Sequence, residues 1–244
     1  MGVITFTDRL PDPNWTVDNT GAGHASSYTA GPGFKSIKFT SQAPVQVSRT
    51  NSGRVITRGL AGHKWGINIT YNAMTRDNFE PIFSFLLHRK GRLNPFYIVL
   101  PNQSSSRNAS FASSNAVTNN TILAKGAHAA GLDYMLQDGH DASQSPRPGD
   151  MFTITDTDDS LHTKIYRVTR VTTSTDYISG QQPGANTERY IYFTPNLQRA
   201  VSDNSVINWT DPKIRVILNK DIQEYNLGTN NLYTFSLSLE DAQA

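Results

Sequence analysis

Residues 65–101 constrain this chain more than any other stretch, because their hydrophobic period changes twice in quick succession. Trp65-Gly-Ile67-Asn-Ile69-Thr-Tyr71 alternates apolar with small or polar residues, so Trp65, Ile67, Ile69 and Tyr71 share one face of a half-buried strand. Beyond Asn72-Ala-Met74, Phe79, Ile82, Phe83 and Leu86 fall at i, i+3, i+4 and i+7, one stripe of a helix. Thr75 is placed to cap its start, with Asp77 in the first turn where the helix dipole favours an anion. His88, Arg89 and Lys90 then meet the C-terminal carbonyls, and Gly91 supplies the left-handed residue that stops the helix. Pro81 removes one early hydrogen bond, which either kinks the helix or moves its start to Glu80-Pro81. Pro95-Phe96-Tyr97-Ile98-Val99-Leu100-Pro101 has no polar alternation and reads as a strand covered on both faces. The unit is strand, helix, strand.

Around that unit the chain is punctuated throughout. Residues 1–42 hold short apolar pieces separated by Gly, Pro, Asn and Ser, and read as an N-terminal arm with sheet-building starting near residue 43. Gln46–Arg49 and Val55–Arg58 flank the Asn51-Ser52-Gly53 turn as two strands. Residues 102–120 are Ser, Asn, Ala and Gln with Phe111 and Val117 as the larger apolar residues, too few to offset ordering entropy, and read as a flexible linker. From Thr121 short apolar runs recur between turn clusters without a helical stripe, the pattern of a small barrel or sandwich, as far as Asp211-Pro212. Lys213–Leu218 and Tyr233–Glu240 are strands again, and the last alternates throughout. The expected fold is mainly β: a β-sandwich with one packed α-helix, plus a small β-barrel insert. Residues 43–101 and 213–244 form one discontinuous domain, and 121–212 the inserted barrel.

Charge and composition exclude more partners than they suggest. The formal charge is +2, which calls for neither nucleic acid nor an anionic membrane. The chain has no cysteine, so disulfides, thiolate metal sites and cysteine nucleophiles are all absent. Its start has no basic flank and no long apolar core, and no run approaches the roughly 20 apolar residues of a membrane span. A soluble protein without membrane insertion or export signal is expected.

Few residues carry a chemical signature. His24, His63, His88, His128, His140 and His162 are isolated, and no metalloprotease, serine-hydrolase or phosphate-loop motif occurs. Ser104, Ser105 and Ser106 lie in a low-complexity stretch that would not hold a nucleophile in place. Asp156, Asp158 and Asp159 offer oxygen ligands at Ca²⁺-like spacing but lack the Gly and Glu that complete such a loop, so a solvated hairpin tip is expected instead. Arg76, Asp77 and Glu80 read as surface pairs. Trp15 and Trp209 both occur in Asn-Trp-Thr. Core packing is the expected role, and sugar stacking the competing one, which would make the chain a carbohydrate-binding module. A cell-wall glycan hydrolase is a further alternative, requiring two carboxylates across a cleft. No catalytic residue, cofactor or metal site is assigned.

Several pieces together resemble the bacteriophage distal tail and baseplate proteins. They are Ser48-Arg-Thr50 with Arg54, the Trp65 strand, Asn72–Arg76, Phe79–Leu86, Lys90-Gly91, Phe96-Tyr97 and Leu100-Pro101, then Lys125–His128, Pro148-Gly-Asp150, Lys164–Val168, Ile222–Tyr225 and Leu232–Glu240. The resemblance implies a non-enzymatic structural component of a phage tail tip or baseplate. It would form a homo-oligomeric ring, most naturally hexameric, that joins the tail tube and baseplate hub proteins to the host-recognition apparatus. It would be made in the host cytoplasm and reside in the virion. Phe96, Tyr97, Ile98, Val99 and Leu100 are the candidate assembly contacts, if a neighbouring subunit rather than the same chain covers one face of their strand.

Overall fold

The alternation at Trp65 belongs to the middle of a five-stranded sheet. The computed structural model describes residues 8–13, 16–18, 21–24, 31–60, 62–142 and 144–242, with 16–18 and 21–24 described in backbone alone. The chain forms two compact units, one running to Tyr97 and resuming over Val216–Ala242, the other Ile98–Arg215. The elements leading into the first unit are β1 (Thr16–Asp18), β2 (Gly21–His24), β3 (Phe34–Gln42), β4 (Val45–Arg49), β5 (Val55–Gly59), β6 (Lys64–Tyr71), α1 (Arg76–His88) and β7 (Phe96–Ile98). The middle of the chain supplies α2 (Ala109–Ala112), α3 (Asn115–Thr118), β8 (Leu123–Ala124), β9 (Tyr134–Asp138), β10 (Met151–Thr155), β11 (Ile165–Thr172), β12 (Arg189–Thr194) and β13 (Val206–Asn208). It ends with β14 (Ile214–Leu218), β15 (Asn226–Leu227), β16 (Tyr233–Thr234) and β17 (Ser236–Asp241).

The first sheet has the order β3-β6-β17-β14-β7. On β6 the buried side chains are Trp65, Ile67, Ile69 and Tyr71, one face as the period requires. β17 pairs beside β6 in this sheet, with Leu237 opposite Ile69 and Leu239 opposite Ile67. Phe39 stacks on Trp65 and Tyr71 on Phe235, with centroids 4.6 and 4.4 Å apart, which ties β3 and the segment entering β17 to β6. Strand pairing begins well before residue 43: β1 and β2 pair as a ribbon, and the five-stranded sheet starts at Phe34, since β3 pairs along the whole of β6. The expected sandwich is, among the described residues, this sheet with a helix and three two-stranded ribbons.

Helix α1 starts at Arg76 after Thr75, and Pro81 lies inside it rather than at its start. It buries Phe79, Ile82, Phe85 and Leu86, so the stripe takes Phe85 where Phe83 was expected. Phe79 stacks on Tyr233 of β16 at 4.4 Å, and Phe85 meets Phe96 of β7 edge to face at 5.4 Å, which joins the helix to the β15–β16 ribbon and to the sheet. Lys90 and Gly91 are both left-handed after the helix.

In the second unit six strands close into a barrel, β10-β11-β12-β9-β8-β13, with every pairing antiparallel. Closure leaves no edge strand. Trp209 sits in its core, 4.9 Å from Phe152 and 5.4 Å from Phe111. Residues 102–120, read from composition as a flexible linker, instead form a 3-10 turn (Pro101–Gln103) and two single-turn helices. Their Phe111, Ala116 and Val117 belong to the barrel core. The buried surface that the segment lacks locally comes from the barrel it packs on.

Candidate assembly surface

Strand β7 is closed off by its own chain. Phe96, Ile98, Val99 and Leu100 are at most 5% exposed, and Tyr97 is half-buried. The edge is taken as well. Tyr97 donates its amide to the Asp8 carbonyl at 2.6 Å, Leu10 donates to the Tyr97 carbonyl at 2.8 Å, and Arg9 bridges Tyr97 in parallel. Two ion pairs hold this segment: Arg89 with Asp8 at 2.6 Å, and the buried pair Arg9 with Asp12 at 2.8 Å. Arg89 also lies 4.5 Å over the Phe85 ring. Of the five candidate contacts, Phe96, Ile98, Val99 and Leu100 are buried within the chain itself, and Tyr97 alone keeps part of its surface.

Among the described residues, the β4–β5 hairpin is uncovered along both strands. Its register pairs Val45 with Gly59, Gln46 with Arg58, Val47 with Thr57, Ser48 with Ile56 and Arg49 with Val55. Val45, Val47 and Val55 therefore share one face with Arg49, and Ile56 lies on the other with Arg58. Its tip is locally built. Thr50 donates its amide to the Arg54 carbonyl at 3.0 Å, and its hydroxyl accepts the Arg54 amide at 3.1 Å. Every residue of both strands is exposed, and Val45, Val47, Val55 and Ile56 are 50–57% exposed. The two strands were legible in the sequence, and the structure leaves both of their faces uncovered.

The residues weighed for chemistry are occupied structurally. Ser106 donates to the buried carboxylate of Asp150, which also accepts the amides of Arg147 at 2.8 Å and Arg107 at 3.0 Å. Sequence reasoning passed over this anchor, for which the Pro148-Gly-Asp150 turn was the available signal. Asp156 accepts the amides of Asp158 at 2.9 Å and Ser202 at 2.8 Å. Burial raises its pKa, but those hydrogen bonds outweigh burial and hold it below the usual carboxylate range. Asp159 is paired with Arg199, which holds it low as well. Among the described residues no group of three or more His, Asp or Glu side chains is placed to hold one ion. Arg76 and Glu80 form an exposed pair at 3.2 Å. Trp209 is buried and offers no ring to a sugar, and Trp15 lies outside the described residues.

The barrel's histidines make its stability pH-dependent. Burial lowers the pKa of His128 and His162, and burial with the nearby Arg189 guanidinium pulls His140 down to about 3. A folded state that binds fewer protons than the unfolded chain loses stability as pH falls below the ordinary histidine value of 6.5. Asp138, Asp156, Asp159 and Glu188, all held low, extend the loss through the carboxylate range. The thermal midpoint should fall steadily between pH 7 and 4, and less steeply in His140→Gln; a flat profile would contradict the assignment.

Residues 10–103, which span the hairpin, β6, α1 and β7, match the family described as distal tail protein pb9, A domain, N-terminal. The chain is also 24% identical over 166 residues to distal tail protein pb9 of Escherichia phage T5, covering 68% of this chain and 70% of that protein. This chain is related to the phage distal tail proteins. The kinship supports a structural role in a phage tail and association with other tail components. The region that matches the distal tail family contains the exposed hairpin. Among the described residues no helix is long and apolar enough to cross a membrane.

Proposed function

We propose that the chain is a non-enzymatic component of a phage tail tip or baseplate. It assembles as a closed, sixfold ring that joins the tail tube to the host-recognition apparatus, and it is made in the host cytoplasm. The observation that carries this reading is the β4–β5 hairpin, whose apolar side chains are uncovered on both faces. A lone two-stranded ribbon is at best marginally stable in water. Exposed valines on such a ribbon fit a surface that another subunit covers. In a ring each copy gives one patch and receives a different one, so a single hairpin per subunit is sufficient to close it. The test is light scattering on the intact protein and on a variant with residues 46–58 replaced by a short Gly/Ser loop. The intact protein should reach the mass of a ring, alone or with co-expressed tail proteins. The variant should remain a single chain with a nearly unchanged thermal midpoint, and rings formed by the variant would refute the role of the hairpin.

We further propose that 121–212 is an inserted domain and that 43–101 with 213–244 folds without it. Asp211 donates its amide to the Ser104 carbonyl at 2.7 Å, so the two ends of the intervening chain meet and a short linker spans them. Replacing residues 103–211 by such a linker should preserve one cooperative thermal transition; its loss would count against the division.

A further inference from the structure

Resting on the ring reading above, we propose that the valine face of the hairpin docks on the strip Asp221–Leu227 of a second copy of this chain. The strip has the complementary character. Ile222 is 70% exposed, Leu227 54% and Tyr225 46%. Asp221 and Glu224 lie among them, with no basic residue from Asp221 to Leu227. Tyr225 is fixed rather than loose, since its ring lies 4.9 Å from Phe79 and 5.2 Å from Phe83 of α1. Asp221 is held at the turn after the helix, where its carboxylate accepts the Arg92 amide at 3.3 Å and pairs with the Arg92 guanidinium at 3.9 Å, which leaves Glu224 as the charge the strip offers a partner.

The hairpin carries the opposite sign. Arg49, Arg54 and Arg58 are exposed, no acidic residue lies between Gln42 and His63, and none of the three arginines is in an ion pair among the described residues. Glu224 is likewise exposed with no ion pair among them. Hairpin against hairpin would oppose arginine to arginine, and strip against strip carboxylate to carboxylate, so each surface selects the other. Because both belong to the first unit, every copy carries one of each, and the contact is heterologous. Apolar side chains in the middle supply the burial, and the charges at the rim fix partner and register.

The absence of cysteine gives a clean background for cross-linking. Val47→Cys and Tyr225→Cys are made separately, and the proteins are oxidised alone and as a mixture, with light scattering on each. Disulfide-linked dimers in the mixture should exceed those in either protein alone by about tenfold or more. Arg49→Glu and Glu224→Arg should each weaken assembly, and the double variant should recover it, with circular dichroism unchanged in all three. If Val47→Cys alone cross-links as well as the mixture does, the hairpins meet each other and the proposal is wrong. If rings form but the mixture does not cross-link and both charge reversals assemble normally, the ring reading stands and this contact falls. If the intact protein assembles neither alone nor with co-expressed tail proteins, both fall.

Discussion

Gly139→Ala is expected to destabilise the barrel by about 3–5 kcal/mol, a large share of the 5–15 kcal/mol typical of a folded domain. Gly139 follows β9 with φ +86°, a left-handed conformation that costs a residue with a Cβ roughly 1–2 kcal/mol. The larger part is steric. A Cβ there would stand 2.3 Å from the Thr121 carbonyl oxygen, which is backbone and cannot rotate away. Relief requires moving the turn after β9 or the start of the segment leading to β8, and Ile122 beside Thr121 is buried in the barrel core. Gly131 is the control, since it has φ +89° but nothing within 4 Å of its Cβ position. Gly131→Ala should show only the conformational cost, about 1–2 kcal/mol in urea unfolding. Equal losses at the two positions would contradict the steric account.

Asp150→Ala should cost about 3 kcal/mol, because it leaves a buried hydroxyl and two part-buried amides without their acceptor. Asp150 holds two amides and the Ser106 hydroxyl, and so fastens the segment that leads into α2 to the turn before β10. Arg107 adds a bond from its guanidinium to the Pro148 carbonyl at 2.7 Å, and Asn108 one to the Ser145 carbonyl at 2.9 Å. With the carboxylate gone, Phe111 should leave the core more readily. Limited proteolysis within residues 102–112 should accelerate along with the loss measured in urea. A loss under about 1 kcal/mol would mean that water replaces the carboxylate at little cost.

The parts of the fold that were legible in the sequence are those whose partners lie close along the chain. The β6 alternation and the α1 stripe each needed only local spacing. Where reading failed, the deciding residue was distant or the period was broken. Phe79, Ile82, Phe83, Phe85, Leu86 and Leu87 leave little polar contrast around α1, so spacing alone did not fix its rotation. Tyr225, far along the chain, partly covers Phe83. β3 was lost in the arm because its pairing with β6 shifts register between Phe34 and Ser36, which upsets the alternation that would have marked it. The segment 102–120 depends on barrel surface that no local composition reveals. The candidate surface was half legible: the hairpin strands could be read, but exposure is a statement about what fails to cover them. Phe96–Leu100 is the converse, a run that must be covered, with the covering elements named only by the structure.

The ring is tested most directly by electron microscopy of the purified protein, alone and co-expressed with tail-tube proteins, before and after replacement of residues 46–58. Closed rings of six copies with the hairpin intact, and single particles of one chain without it, are the predicted images. Isolated chains in every preparation, or rings indifferent to the hairpin, would contradict the account.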